Sequence, residues 1–402
     1  MSSRNVASPP APAATRRLDS LDGLRGVAAF IVVVFHFLCM LAPGWVPDMA
    51  EKPHFLADTP LGILWNGPFA VSVFFVLSGF VIGGVASRRA NLLMANTVAR
   101  YVRLAVPITV SVVLAWAWLN VLPTAADELA AHLDNPSRWI GGTYQAPIPD
   151  LGFALSDGLF WNFYNGESLF NNVLWTMQIE LIGSIGLFAI YWAARGRPGH
   201  VAVGLGLAVL VTGLTFQFAY LAFALGAILQ ELWRRGWHRT PWVWAPVAAF
   251  VLGVTLGAFG RGAHDRLGLP IPFDIISLKL GKSKGAMPVF AATLILYGVL
   301  ASPALARAFS TAVPRWLGRV SFPLYLVHVP LLYTVIAHLY VASDLGLATA
   351  FALYLALTLV LAFVFTLLVE EPTLKTTRWV RGVIAGDQRR LALASARPPG
   401  AD

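Results

Sequence analysis

Long apolar runs, separated by short polar or basic breaks, dominate this chain. Runs of about helix-spanning length fall at 24–43, 61–85, 104–122, 174–194, 200–216, 218–232, 242–259, 287–305, 321–342 and 346–369. They predict an all-α protein, a polytopic membrane helix bundle of about ten transmembrane helices. The fifth and sixth runs are short and nearly continuous through Gln217, so nine is the competing count. Gly and Pro inside several runs are compatible with membrane helices, whose neighbours satisfy the freed backbone groups.

Composition strengthens that reading. Of the 402 residues 57% are hydrophobic and only 12% charged, against roughly a quarter charged in soluble domains. A water-soluble enzyme, a secreted disulfide scaffold and a disordered protein are excluded. The single cysteine, Cys39, sits in an apolar run and has no internal disulfide partner. A net charge of +9 in a soluble protein would suggest nucleic acid. Here the basic residues act first as topology signals, and no nucleic-acid partner is expected.

With ten spans both termini share one side, and that side collects most of the 29 Lys and Arg. Both termini are therefore expected in the cytoplasm. The main exception is the 260–286 loop, with Arg261, Arg266, Lys279, Lys282 and Lys284. The first span lacks the cleavage pattern of a signal peptide. Residues 1–17, rich in Ala, Pro and Ser, are expected to be a disordered cytoplasmic tail, residues 18–375 the membrane domain, and 376–402 a basic cytoplasmic tail. The stretch opening that tail, with Lys375, Arg378, Trp379 and Arg381, is amphipathic and suited to anionic lipid. The 123–173 segment is expected outside. Its aromatic cluster, Phe160, Trp161, Phe163 and Tyr164, is read as a sugar-stacking surface or, more simply, as an interfacial belt or re-entrant packing.

Ionisable residues inside apolar helices need a reason to be there. In Leu24-Arg25-Gly26 through Phe35-His36-Phe37, Arg25 sits at the cytoplasmic edge. His36 follows eleven residues later, about 16 Å along the axis and on the same face, near the middle of the membrane. The plain alternative is a packing histidine above a topology charge. Arg100 and Arg103, at i and i+3, share a face and offer planar forks suited to phosphate, or else they are positive-inside charges. Glu180 lies within a span with Thr176 one turn earlier. It is placed to orient a histidine, to accept a proton or to make a neutral helix–helix contact. Tyr325 and His328 are again i and i+3, as structural glue or as chemistry.

Taken in order, these segments resemble the acyltransferase-3 family of integral membrane O-acyltransferases. The resemblance rests on Arg25-x10-His36, on Phe74-Phe75-Val76-Leu77-Ser78-Gly79-Phe80 and on Arg100-x-x-Arg103 with Pro107. It continues through Leu174-Trp175 to Glu180, Tyr325-Leu326-Val327-His328 and Glu371-Pro372, from about residue 18 to about 375. Gln178 departs from the smaller or apolar residue expected in its segment. The resemblance implies a ten-helix, multi-pass protein of a bacterial inner (plasma) membrane. It would move an acyl group, usually acetyl, from cytoplasmic acyl-CoA to a hydroxyl of a carbohydrate, a lipid-linked sugar or a related acceptor. It implies Arg25 and His36 as the functional pair, with Arg100 and Arg103 also important and no metal.

The residue chemistry fits that implication. Acyl transfer needs a base for the alcohol proton and donors for the oxyanion. His36, with Arg25 and Glu180, is the candidate catalytic set, acting as general base or transient acyl carrier. Arg25, Arg100 and Arg103 are candidates for the phosphates of CoA, and Ser78, Tyr325 and His328 are further candidates. Two other classes remain open on sequence alone. One is a transporter or flippase of a lipid-linked sugar, with His36 and Glu180 as a proton path. The other is a non-catalytic scaffold that keeps the fold.

Overall fold

The computed structural model describes residues 13–46, 54–88, 92–133, 137, 139–140, 147–237, 242–258 and 285–395. The basic loop residues from Arg261 to Lys284 and both chain ends fall outside them. Among the described residues the chain is entirely helical, with no strand. In chain order the helices are α1 (Ala13–Leu41), α2 (Gly67–Ala86), α3 (Leu93–Val121), α4 (Ala125–His132), α5 (Leu151–Ser156), α6 (Asn162–Asn165) and α7 (Trp175–Ala193). They continue as α8 (Pro198–Leu214), α9 (Phe218–Arg234), α10 (Ala245–Ala258), α11 (Ala286–Ala301), α12 (Pro303–Phe309), α13 (Ala312–Leu331), α14 (Ala337–Ala342), α15 (Leu347–Phe365) and α16 (Glu371–Ser395).

Every apolar run predicted from the sequence carries a helix, but not every helix has the length of a span. Among the described residues six helical stretches are long and apolar enough to cross a membrane, and α11 with α12, bent by 100° at their junction, would make a seventh. The count of ten is therefore not matched by length: α8 and α10 are shorter apolar helices. Helix α1 already begins at Ala13, inside the stretch expected as a tail. Helix α16 continues from α15 through a wide turn at Thr366–Glu370 and packs back along α3.

Small residues set the closest helix contacts, as expected where lipid supplies no hydrophobic drive between helices. Helices α1 and α13 run side by side. A Cβ on Gly26 would lie 2.3 Å from the Gly318 backbone nitrogen, and one on Gly318 would lie 2.3 Å from the Asp22 carbonyl oxygen. Only glycine permits that approach. Helices α2 and α9 meet in the same manner: a Cβ on Gly79 would lie 2.2 Å from the Phe223 carbonyl oxygen, and one on Gly226 would lie 2.1 Å from that of Val76.

Proline inside α13 has a specific partner. Pro330 lacks an N–H, so the Leu326 carbonyl one turn earlier loses its helical donor. The Asn171 side-chain amide supplies the replacement, donating to that carbonyl at 2.8 Å. This bond ties the segment before α7 to the middle of α13.

The 149–174 stretch is re-entrant. Trp116, near the far end of α3, donates through its indole to the Pro149 carbonyl at 2.9 Å, whereas Tyr101 donates to the Leu159 carbonyl at 2.7 Å. Fifteen residues of α3 separate the two contacts, about 22 Å along its axis. The chain thus descends along α3 to the level of the Arg100 turn before α7 starts. Phe163 is buried there with its ring 5.5 Å from that of Tyr101, while Phe160, Trp161 and Tyr164 stay exposed on the flank. Polar residues of the stretch bond to one another: Ser168 donates to Asp157 at 2.6 Å, and the Asn162 amide donates to the Asp157 carbonyl at 2.7 Å, while one side-chain oxygen of each of Asp157 and Asn162 is buried without a partner among the described residues.

Candidate active site

The α1–α13 pair builds one wall of the site. Gly26 opposes Gly318, and ten residues further on in both helices His36 opposes His328. Arg25 extends along the seam from the glycine contact. Its Nε donates to Ser321 Oγ at 3.0 Å, and one terminal nitrogen donates to Asp22 at 2.8 Å and to the Gly318 carbonyl at 3.3 Å. Arg25 and His36 thus face the same neighbour, as their spacing predicted.

The histidines contact each other. His328 Nε2 lies 3.1 Å from His36 Nδ1, and the rings are 4.9 Å apart, with Trp139 5.2 Å from the His36 ring. Hydrogen-bond accounting assigns the protons of the neutral pair. His328 Nδ1 lies 3.0 Å from the Leu324 carbonyl, which only accepts, so that nitrogen carries the hydrogen. His328 Nε2 then holds the lone pair and accepts from His36 Nδ1–H, which also points at the Val32 carbonyl 2.9 Å away. The remaining nitrogen of His36, Nε2, therefore bears a lone pair. That is the tautomer a base or a nucleophile requires.

Between α2, α3, α7 and α13 lies an inner cavity of about 120 Å³, lined among others by Arg25, Ser78, Arg100, Arg103, Glu180 and Tyr325. Six of the eight residues singled out by sequence therefore share one cavity. Tyr325 lies on its wall, and the His328 ring follows one turn later at 5.8 Å.

Glu180 takes partners other than the histidine that sequence reasoning offered it. It accepts from Ser78 Oγ at 2.7 Å and forms an ion pair with Arg100, whose Nε also donates to Ser184 at 3.1 Å. Arg100 is thereby held inside the bundle by a carboxylate while still lining the cavity. Arg103 faces Glu370 at 4.0 Å, a looser approach. Tyr325 closes a small polar triangle with Thr176 Oγ1 at 2.9 Å and the Val173 carbonyl at 2.8 Å. Gln178, the departure noted above, donates to the Tyr164 carbonyl at 2.6 Å and so anchors the re-entrant loop.

A larger basic vestibule of about 550 Å³ adjoins the inner cavity, and Arg25, Phe74, Ser78, Arg100 and Arg103 line both. Arg88, Arg378 and Arg381 line the vestibule alone. Sequence reasoning missed several of these residues. Ser321, Ser184 and Glu370 are ordinary polar positions in a one-dimensional reading, and Arg378 and Arg381 had been given to lipid.

Comparison with known proteins agrees with this architecture. A family model described as an acyltransferase domain matches residues 18–367. The chain is 25% identical over 372 residues to the O-acetyltransferase PaAT-1 of Phomopsis amygdali, covering 78% of this chain and 72% of that protein. It is 30% identical over 349 residues to the exopolysaccharide production protein ExoZ of Rhizobium meliloti (strain 1021), covering 81% and 95%. It is 27% identical over 389 residues to the acyltransferase MdmB of Streptomyces mycarofaciens, covering 90% of each. No solved structure is significantly similar to it. The matched stretch runs from residue 18, within α1, through α15 and contains every residue of the inner cavity except Glu370, and the chain belongs to the acyltransferase-3 family of multi-pass membrane O-acyltransferases.

Proposed function

We propose that this O-acyltransferase uses acyl-CoA, acetyl-CoA in the first instance, and acylates a hydroxyl of a carbohydrate or lipid-linked sugar in a bacterial inner membrane, with His36 at the reacting centre. The observation that supports this reading most is that Arg25, Arg100 and Arg103 line both the vestibule and the adjoining inner cavity, whose wall carries Tyr325 one helical turn before His328. An extended pantetheine arm is matched to the roughly 16 Å between the Arg25 and His36 levels of α1. The naming of ExoZ for exopolysaccharide production supports a carbohydrate acceptor.

In the general-base form, His36 Nε2 takes the acceptor hydroxyl proton as the new C–O bond forms. The thioester C–S bond then breaks, and the CoA thiolate leaves and recovers the proton from the imidazolium. In the carrier form Nε2 attacks the thioester carbonyl and the C–S bond breaks with CoA leaving as the thiolate; the hydroxyl then displaces the neutral imidazole, and its proton passes to the thiolate. In both, His328 Nε2 accepts from the Nδ1–H of His36 and steadies the cationic ring. The hydroxyls of Ser78, Thr176 and Tyr325 line the inner cavity and would serve the developing oxyanion by turning from their present acceptors, Glu180 and the Val173 carbonyl.

The test is release of CoA from acetyl-CoA by the purified protein in lipid nanodiscs. It is coupled to mass spectrometry of surface glycans and secreted molecules from cells with and without the gene. An acetyl mass difference with CoA release supports the reading; no CoA release and no acetylated product overturns it. His36→Ala should lose about 10²–10⁴ in turnover while still binding donor.

A further inference from the structure

We propose that α16 is part of the donor site, with Arg378 and Arg381, joined by Arg88 in the turn after α2, holding the ribose 3′-phosphate end of acyl-CoA. This rests on the acyl-CoA reading above. Sequence pattern alone would lay this helix on anionic lipid. Instead it packs along α3, and the Arg381 Nε donates to the buried Asn96 side chain at 2.9 Å. That bond fixes the helix against the bundle and turns one of its faces into a wall of the vestibule, where Thr377, Arg378 and Arg381 stand at helical spacing.

Charge pairing separates the arginines of this vestibule into two groups. The deeper ones are engaged with carboxylates: Arg25 with Asp22, Arg100 with Glu180 and, less closely, Arg103 with Glu370. Among the described residues Arg88, Arg378 and Arg381 have no carboxylate partner, although they line the same space. Three uncompensated guanidinium groups around a space of about 550 Å³ suit a dianionic ligand, and that size falls in the range of about 300–1,000 Å³ usual for small-molecule sites. Planar guanidinium forks bind phosphate in pairs.

The order of groups along CoA sets the assignment. With the thioester at His36 and the pantetheine arm running back along the seam, the diphosphate comes next, at the level shared by Arg25 and Arg103. The 3′-phosphate is the outermost charge, at the level of α16. An anionic lipid headgroup offers the same phosphate chemistry, so the experiment must separate the two sources.

The test compares KM for acetyl-CoA and for 3′-dephospho-acetyl-CoA. It uses the full chain in nanodiscs with and without phosphatidylglycerol, as wild type and as Arg378→Gln, Arg381→Lys and the double variant Arg378→Gln/Arg381→Gln. Loss of charge-assisted contacts corresponds to about a ten- to hundredfold change in affinity. The expected result is a wild-type KM raised by about that factor when the 3′-phosphate is missing. The double variant should show the same rise for acetyl-CoA and no further rise for the dephospho donor, with kcat kept. Arg381→Lys keeps the charge and should fall between, which guards against a folding defect. Wild-type discrimination preserved in the double variant overturns the assignment, as does a phosphatidylglycerol dependence abolished by the variants with donor KM unchanged. A wild-type protein that turns over neither donor overturns the acyl-CoA reading and this inference with it. Turnover with intact discrimination in the variants overturns this inference alone.

Discussion

At the residue scale, the two arginines of the α3 pair have different duties although sequence presents them as equals. Arg100 is ion-paired to Glu180 in the bundle, with both side chains largely buried. Arg103 stands 4.0 Å from Glu370 and is more exposed. Removing one member of a buried ion pair leaves the other charge uncompensated, at a cost of about 3–5 kcal/mol. Arg100→Gln and Glu180→Gln are therefore each expected to lower thermal stability in detergent. The double variant Arg100→Gln/Glu180→Gln should be more stable than either single one, and additive destabilisation would show that the pair is not energetically coupled. Arg103→Ala, by contrast, should fold normally and raise the apparent donor constant more than it lowers turnover. The histidines give a similar contrast. His36→Gln retains hydrogen bonding but has no titratable lone pair, so it should insert normally and remain as inactive as His36→Ala. Near-normal activity in the Gln variant would reduce the His36–His328 contact to packing.

At the element scale, the α1–α13 seam is where helix geometry becomes site geometry. The register set at Gly26 and Gly318 is what brings His36 to His328 ten residues later. A side chain at Gly26 would meet backbone at 2.3 Å, whereas a Cβ at Gly186 on α7 has nothing within 4 Å. Gly26→Val is accordingly expected to abolish turnover and lower the yield of folded protein, and Gly186→Ala to change neither, as read by turnover and size-exclusion chromatography. Equal behaviour of the two variants would remove the seam from the argument. Much of this element was legible in sequence: the 3.6-residue period put Arg25 and His36 on one face, and α13 does cover that face. Periodicity within a helix carries no information about which helix lies opposite. Hence Arg100–Glu180, His36–His328 and Arg25–Ser321 could not be read in advance. The re-entrant stretch was hidden for a different reason. Its Asp157, Asn162 and Ser168 look like water-facing residues, but inside the structure they bond to one another.

At the scale of the whole molecule, the arginines of the vestibule come from the first half of α1, the turn after α2, the first half of α3 and the helix after α15, and they line one space. The two ends of the bundle are therefore chemically distinct, and α3, about 43 Å long for its 29 residues, reaches from the arginine end to the short helix α4. The excess of Lys and Arg on one side predicts that the arginine end faces the cytoplasm. That orientation is also the one in which a charged donor enters without crossing the membrane. Cysteine accessibility tests it, in a Cys39→Ala background so that the introduced thiol is the sole one. Asp127→Cys on the exposed face of α4 and Lys375→Cys on α16 report on opposite ends. An impermeant maleimide applied to intact cells should label the cysteine at position 127. Position 375 should react only after permeabilisation. Labelling of position 375 in intact cells would place the vestibule outside. Acyl-CoA in the cytoplasm would then have no route to the arginines, and the donor reading would fail together with the topology.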